Sequence, residues 1–323
     1  CEKVGLRSDR ILLGTQIEGM TDEELQKEAE TVSIFAKLSP MQKARVVGAL
    51  QKGGHTVGFL GDGINDAHAL SRADVGISVD TAVDIAKESA DIILLEKDLN
   101  VLVHGVIEGR KIFGNIVKYI RMTISSNFGN ALSMLAASAF LPFLPMMPVQ
   151  ILLLDLLYNI SQISIPWDNM DPEYLRVPRK WDASGMGRFM LCMGPVSSVF
   201  DIATFALMWF VFGCRDPADP ALVGLFNAGW FVESLISQTL IIHMIRTPKL
   251  PFVQSRAARP VVLLTSAVMA AGVLIPFTGP GFSIGFRPLP GRYFGWLALI
   301  VAGYMLLSQV VKMIYIRINH SWL

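Results

Sequence analysis

Charge and cysteine are scarce in this sequence. Of its 323 residues, 17% are Asp, Glu, Lys or Arg, where a soluble domain carries about 25%, so the composition disfavours an ordinary soluble enzyme. Cysteine occurs only at Cys1, Cys192 and Cys214. Three residues so far apart, with no CxxC pair, make neither a disulfide framework nor a zinc site. The net charge is +1 with no basic patch, which speaks against nucleic acid as a partner. The chain has no initiator Met and no signal-peptide pattern, and it opens inside a fold-like pattern, so it reads as a piece of a longer protein. What is plentiful is apolar surface: 52% of residues are hydrophobic, Met occurs 15 times, and the mean hydropathy is +0.46.

The charge is unevenly spread. Residues 1–120 hold 14 Lys and Arg against 18 Asp and Glu, and residues 121–323 hold 14 against 9. The first block reads as water-exposed and the second as membrane-embedded. A bilayer crossing takes about 20 apolar residues, and six such runs are present: Ile120–Phe140, Val149–Pro166, Phe189–Phe212, Leu225–Ile245, Pro260–Phe277 and Tyr293–Tyr315. Basic residues cluster in alternate connections. Arg176, Arg179, Lys180 and Arg188 follow the second run, and Arg246, Lys249, Arg256 and Arg259 follow the fourth. The positive-inside rule then places the first block and the C-terminus on the cytoplasmic side.

Residues 1–110 alternate short strand-like runs with helical periods. Thr31–Ala36, Thr56–Leu60, Val75–Ser78 and Asp91–Leu94 read as strands, and Thr21–Glu30, Pro40–Lys52, Asn65–Ser71 and Thr81–Ser89 as helices. Such alternation predicts a parallel sheet covered by helices. Its sharpest feature is the string Phe59-Leu60-Gly61-Asp62-Gly63-Ile64-Asn65-Asp66-Ala67. Ligands bind past the carboxyl ends of parallel strands, and Asp62 and Asp66, four apart across the turn, are hard oxygen ligands suited to Mg²⁺. Gly61 and Gly63 allow close backbone approach to a ligand. The alternative is a surface Asp-Gly turn with a helix cap. Upstream, Phe35-Ala36-Lys37-Leu38-Ser39-Pro40-Met41-Gln42-Lys43 offers two cations, Lys43 and Lys37, either of which could neutralise a phosphoryl group or simply be solvated.

Inside the apolar runs, polar groups fall on shared helix faces. Asn127 and Asn130 are three apart in the first, and Asp155 and Asn159 are four apart in the second. Ionisable groups within spans usually face a site, so these four would form an oxygen-lined pocket carrying one formal negative charge. Asp201 and Glu233 are further acids, and Glu233 joins the candidate ion ligands. Interhelical hydrogen bonding is the competing explanation for the amides.

GDGINDAHAL and FAKLSPMQK, in this order and followed by these spans, resemble the P-type ATPases. The first is similar to that family's TGDGxNDxPAL string and the second to the segment that supplies its phosphate-binding lysine. The resemblance implies the α/β haloacid-dehalogenase-like fold, in part, for a phosphorylation domain over residues 1–110. A helical stalk over 111–119 would follow, then an all-α bundle of six transmembrane helices over 120–323, equivalent to the family's fifth to tenth. It further implies Asp62 as a Mg²⁺ ligand, Lys43 on the phosphoryl group, and Asn65 and Asp66 orienting that group and supporting the metal. In such pumps the fifth and sixth helices supply transported-ion ligands.

Leu60 stands where that family commonly has Thr, and His68 where it has Pro. No DKTGT string, which carries the family's nucleophilic Asp, occurs in the sequence. The strings SSNFGN, ASAFLPFLPMMP, QTLIIHMIRT and AGYMLLSQVVK resemble most the bacterial magnesium-transporting branch. The expected function is therefore the C-terminal part of an ATP-driven Mg²⁺ importer of the bacterial inner membrane. Mg²⁺ with ATP would be its cofactor and substrate, membrane lipid its surroundings, and its nucleophile would lie outside this chain. The alternatives are the same pump type with Ca²⁺ or another cation, or an inactive regulatory membrane protein.

Overall fold

The computed structural model describes residues 10–96, 98–320 and Trp322; Cys1 and the other residues before Arg10 lie outside the described residues. The chain divides into two compact units, one up to Val106 and one from Ile107.

The first unit contains, in chain order, β1 (Ile11–Leu13), α1 (Gly14–Glu18), α2 (Asp22–Ala29), β2 (Ile34–Ala36), α3 (Pro40–Lys52), β3 (Gly58–Leu60), a 3₁₀ turn (Ile64–Asp66), α4 (Ala67–Arg72), β4 (Val75–Val79), α5 (Asp84–Glu88) and β5 (Ile92–Leu94). All strands are parallel, but they form two sheets, β1-β2 and β3-β4-β5. Helix entry follows local chemistry. Thr21 Oγ1 accepts from the Glu24 N–H while the Glu24 carboxylate accepts from the Thr21 N–H. Ser39 and Gln42 repeat the device, with Pro40 opening α3. Each pair satisfies two donors that a helix start leaves free. Leu12, Ile17, Leu25, Val32 and Val46 form one core, and Leu70, Ala82 and Ala86 a second.

Three of the four expected strands begin later than the sequence suggests, while β4 begins at the expected Val75. Thr31 is spent on the end of α2, where its hydroxyl donates to Glu28 O, and the Val57 N–H goes to Asp74 Oδ2 rather than into the ladder. The fifth strand, β1, was not anticipated; three apolar residues before a Gly are too few to show a period.

The second unit is helical. The helix α6 (Leu99–Phe140), which begins in the first unit, runs unbroken through Gly105, Gly109 and Gly114. There follow α7 (Pro148–Gln162), a 3₁₀ turn (Ile165–Trp167), α8 (Pro172–Arg176), α9 (Ala183–Ala206) ending in a π turn (Leu207–Val211), α10 (Pro220–Ile245), α11 (Arg259–Leu274), a 3₁₀ turn (Ile275–Phe277), α12 (Gly279–Ser283) and α13 (Gly291–Asn319). Among the described residues, five helical segments are long and apolar enough to cross a membrane: Pro148–Trp167, Ala183–Val211, Pro220–Ile245, Arg259–Phe277 and Gly291–Asn319. The expected first span, Ile120–Phe140, forms the C-terminal half of α6 but falls outside that set. Its Ser125, Ser126, Asn127, Asn130 and Ser133 lower its hydropathy.

Helix α10 is the centre of this unit, 89% of its most apolar window being buried against 22% for α13. Phe205, Phe226, Trp230, Phe231 and Tyr293 pack in one core and Met122, Tyr158, Phe189 and Tyr304 in another. Helices α6 and α9 approach closely at Gly129, where a Cβ would lie 2.8 Å from Gly194 O. Small residues permit such contact between apolar helices, where packing rather than hydrophobicity drives association.

One end of this unit is tied by a buried ion cluster. Asp168 Oδ2 accepts from Lys118 Nζ at 2.7 Å and from Arg246 Nε at 2.9 Å, and Asp168 Oδ1 accepts from the Ala258 N–H at 3.1 Å. Burial alone would raise the Asp168 carboxyl, yet the Lys118 and Arg246 cations hold it below the ordinary carboxylate range. Burial draws the Lys118 ammonium below its ordinary value against the pull of Asp168. Removing one member of such a cluster strands the others, at about 3–5 kcal/mol.

Candidate functional site

The candidate phosphate site sits past the carboxyl end of β3. The Gly61 N–H donates to Ile77 O at 3.0 Å and Gly61 O accepts from Ser78 Oγ at 2.9 Å, so β4 fixes the start of the turn. Asp62 follows with an exposed side chain, its own carbonyl accepting from the Val83 N–H at 3.2 Å. Asn65, in the 3₁₀ turn, is exposed as well. Asp66 is half-buried. Its Oδ1 accepts from Lys43 Nζ at 2.7 Å and its Oδ2 from the Gly63 N–H at 3.2 Å. Helix α3 thus delivers Lys43 to the turn. Lys37 is exposed and takes a left-handed backbone, φ 54°, just after β2. Of the two lysines, Lys43 is the one joined to the GDGIND turn.

Gly61 is needed for close approach, not for backbone freedom. A Cβ there would stand 2.5 Å from Asp66 Cβ. Gly61→Ala is therefore expected to displace Asp66 from Lys43 and to cost about 1–3 kcal/mol, as overpacking does. The denaturation midpoint reads the loss; an unchanged midpoint would mean that the turn opens freely. Gly63 has only ordinary contact with Asp66. Asp62 and Asp66 are hard ligands at a strand end with one cation beside them, a set that fits Mg²⁺ completed by phosphate oxygens and water. No group of three or more His, Cys, Asp or Glu side chains placed to hold a metal occurs among the described residues.

The candidate ion ligands lie in the second unit. Asn127 is exposed on α6, and Asn130, half-buried, accepts from Gln238 Nε2 at 2.8 Å. On α7, Asp155 is half-buried beside the buried Leu154 and Tyr158, while Asn159 is exposed. Asn159 lines a cavity of about 670 Å³ between α6 and α7, opposite Asn115 and Tyr119. Neither Asn127 nor Asp155 lines that cavity, and Asn127, Asp155 and Asn159 are not hydrogen-bonded to one another, so the expected pocket of four ligands is not assembled among the described residues.

Glu233 is elsewhere, wholly buried in α10. It faces Asp201 of α9, whose carboxyl accepts from Ser133 Oγ at 2.6 Å and from Trp230 Nε1 at 2.6 Å. Sequence reasoning missed Trp230 and Gln238 as partners of polar groups. The signal that could have found Gln238 is its i,i+4 spacing from Ser234, whose Oγ accepts from Gln238 Nε2 at 2.7 Å. The cysteines Cys192 and Cys214 are free thiols.

The profile of the family described as "Cation transporting ATPase, C-terminus" matches residues 143–314. A magnesium-transporting ATPase, P-type 1, of Salmonella typhimurium (strain LT2) is 58% identical over 322 residues, covering 100% of this chain and 35% of its own. One of the same description from Escherichia coli (strain K12) is 53% identical with the same coverage. A calcium-transporting ATPase of Bacillus subtilis (strain 168) is 32% identical over 207 residues, 64% of this chain and 23% of its own. The chain spans about a third of the length of the curated magnesium-transporting relatives it matches.

Proposed function

Because the chain belongs to the P-type cation-transporting ATPases and matches their C-terminal region, we propose that it is the part of a magnesium-importing pump that holds the metal side of the phosphorylation site and most of the transport helices. The first unit supplies the C-terminal part of a haloacid-dehalogenase-like phosphorylation domain. The second supplies six transmembrane helices, with α6 the least apolar of them. The Lys43–Asp66 ion pair at 2.7 Å, formed between two sequence-distant strings at the end of β3, carries this reading.

In the full-length protein an aspartyl phosphate would form on a residue outside this chain. Asp62 and Asp66 would bind Mg²⁺ there, and that ion would neutralise phosphoryl oxygens. Lys43, already aimed at the turn, would hold the transferring group by charge, and Asn65 would orient it. Gly61 keeps Asp66 close enough for both contacts.

In the membrane, Asp155 would bind the transported cation with Asn130, Asn127 and Asn159 as neutral oxygen ligands. A site with one carboxylate suits an ion that keeps part of its water, as Mg²⁺ does. Asn127 and Asn159 are exposed, which leaves them accessible to helices from the remainder of a longer protein. The first unit and the C-terminus would face the cytoplasm, and the membrane would be the bacterial inner membrane.

Right-side-out vesicles holding the full-length protein and loaded with ATP test the reading. External Mg²⁺ is expected to accumulate, and Ca²⁺ supplied alone is not. Equal Ca²⁺ accumulation would reassign the ion, and no accumulation of any cation would remove the pump.

A further inference from the structure

Trp322 has no part in the pump reading, yet it is 4% exposed. Helix α13 ends at Asn319, and His320 takes a left-handed backbone, φ 52°, with its N–H on Ile316 O at 2.9 Å. A left-handed cap of this kind stops a helix and redirects the chain. Trp322, two residues on, packs into the core that holds Met122, Phe189 and Tyr315.

Its indole meets three helices. Nε1 donates to Ile245 O at 2.8 Å, on the last residue of α10. The ring lies edge-on to Phe189 of α9 at 5.0 Å and to Tyr315 of α13 at 5.7 Å between centroids, and Lys312 Nζ stands 5.9 Å from its centroid. The last carbonyls of a helix have no partner within it. Trp322 takes one such carbonyl of α10, and Lys312 takes another, Met244 O, at 3.0 Å.

The backbone of Trp322 reaches a fourth helix. Arg121 of α6 donates from Nη1 to Trp322 O. This guanidinium is nine-tenths buried and lies 4.9 Å over the Phe189 ring, and its Nε meets no acceptor. Among the described residues no Asp or Glu is ion-paired with Arg121, and Trp322 O is the one hydrogen-bond acceptor it has. A buried cation is costly unless it is paired and hydrogen-bonded, so Arg121 depends on Trp322 O and the Phe189 face to stay in place. Lys118 already ties α6 to Asp168 after α7 and, through Asp168, to Arg246 after α10. Trp322 adds α9 and α13, the two long helices that cluster leaves out. Arg121 precedes Asn127 by six residues and Asn130 by nine in the unbroken α6, roughly 9 and 14 Å along the axis.

We infer that Trp322 is a positioning residue for the transported ion: through Arg121 it clamps α6 to α9, α10 and α13 and so sets the place of the α6 amides. The inference deepens the pump reading and rests on it for the ion that is positioned, but its test reads binding without transport.

The test is the Mn²⁺ affinity of the nucleotide-free, full-length protein in detergent, read from the paramagnetic resonance of the free ion, at the ion that Asp155→Ala removes. Trp322→Ala is expected to weaken that ion about three- to tenfold, within the range by which residues off a site shift coupling. Trp322→Phe, which keeps a ring on Phe189 and the same backbone carbonyl, is expected to restore wild-type affinity. Arg121→Met is expected to match Trp322→Ala, and the double variant to lose no more than either, because the two residues form one contact. Where Trp322→Ala does not elute as a folded protein, Arg121→Lys, which keeps a cation but not the guanidinium plane on Phe189, carries the same expected loss. Wild-type affinity in the folded variants would overturn the inference and leave the pump reading standing. So would losses that add in the double variant, or a Trp322→Phe as weak as Trp322→Ala. An Asp155→Ala protein that binds Mn²⁺ like wild type would instead sink the ion path, and the inference with it.

Discussion

Asp62→Asn in the full-length protein is expected to lower the rate of phosphoryl transfer from ATP by on the order of 10²–10³-fold, the usual loss when one group stabilising developing charge is removed. The two acids of the turn differ in what they already touch. Asp66 is engaged by Lys43 and the Gly63 N–H, so part of its charge is already neutralised. The Asp62 side chain is exposed past the end of β3 and makes no ion pair among the described residues, so a metal ion and a phosphate can claim both of its oxygens. The amide keeps the shape and removes the charge. Phosphoenzyme formation from labelled ATP is the measurement. Should Asp62 serve only as part of a surface turn, phosphoenzyme would form at the wild-type rate and the melting temperature alone would shift.

The second large effect is expected at Asp155. Asp155→Ala should abolish cation-stimulated ATP hydrolysis while leaving nucleotide binding as in wild type. A loss of about 10²-fold in apparent cation affinity corresponds to about 2.7 kcal/mol. The Asp155 residue is half-buried on a helix whose Leu154 and Tyr158 are buried and whose Asn159 is exposed. Holding a carboxylate within an apolar helix costs about 2.5–3.5 kcal/mol, a cost without return unless a cation is bound. Asn130 is a useful control because Gln238 already takes one of the two lone pairs of its oxygen. Its replacement by Ala should weaken cation binding less than that of Asp155. Wild-type stimulation in Asp155→Ala would take this residue out of the ion path.

The local parts of this structure were legible in the sequence. Ser39-Pro40 announces a helix start, and α3 runs over the expected Pro40–Lys52. The GDGIND string lies past a strand end as expected, and the apolar runs after Val149 are all helical. What spacing does not give is which face of a helix is covered. Their spacing puts Asn127 and Asn130 on one helical face, yet Asn127 is exposed and Asn130 is bonded to Gln238 of α10. Long-range polar pairing was equally hidden. Lys118 and Arg246 looked like a stalk charge and a loop charge, but both meet Asp168, 50 and 78 residues away in sequence. No local pattern encodes such a meeting. The burial of α10 was also unforeseen, although its Asn227, Glu233, Ser234, Gln238 and His243 are too polar for a lipid-facing helix.

The cluster around Asp168 also constrains the order in which the polypeptide can be completed during synthesis. Once α6 and the turn after α7 have emerged, Lys118 and Asp168 can neutralise each other, but the acid's second cation belongs to the far end of α10. Arg246 in turn needs Ser255 O and Arg256 O for its remaining donors, and these are translated later still. That end of the bundle therefore stays provisional, and open to water, until the ribosome has passed the beginning of α11. A nascent chain arrested before that point would carry an unfinished joint for the quality-control machinery of the membrane to detect.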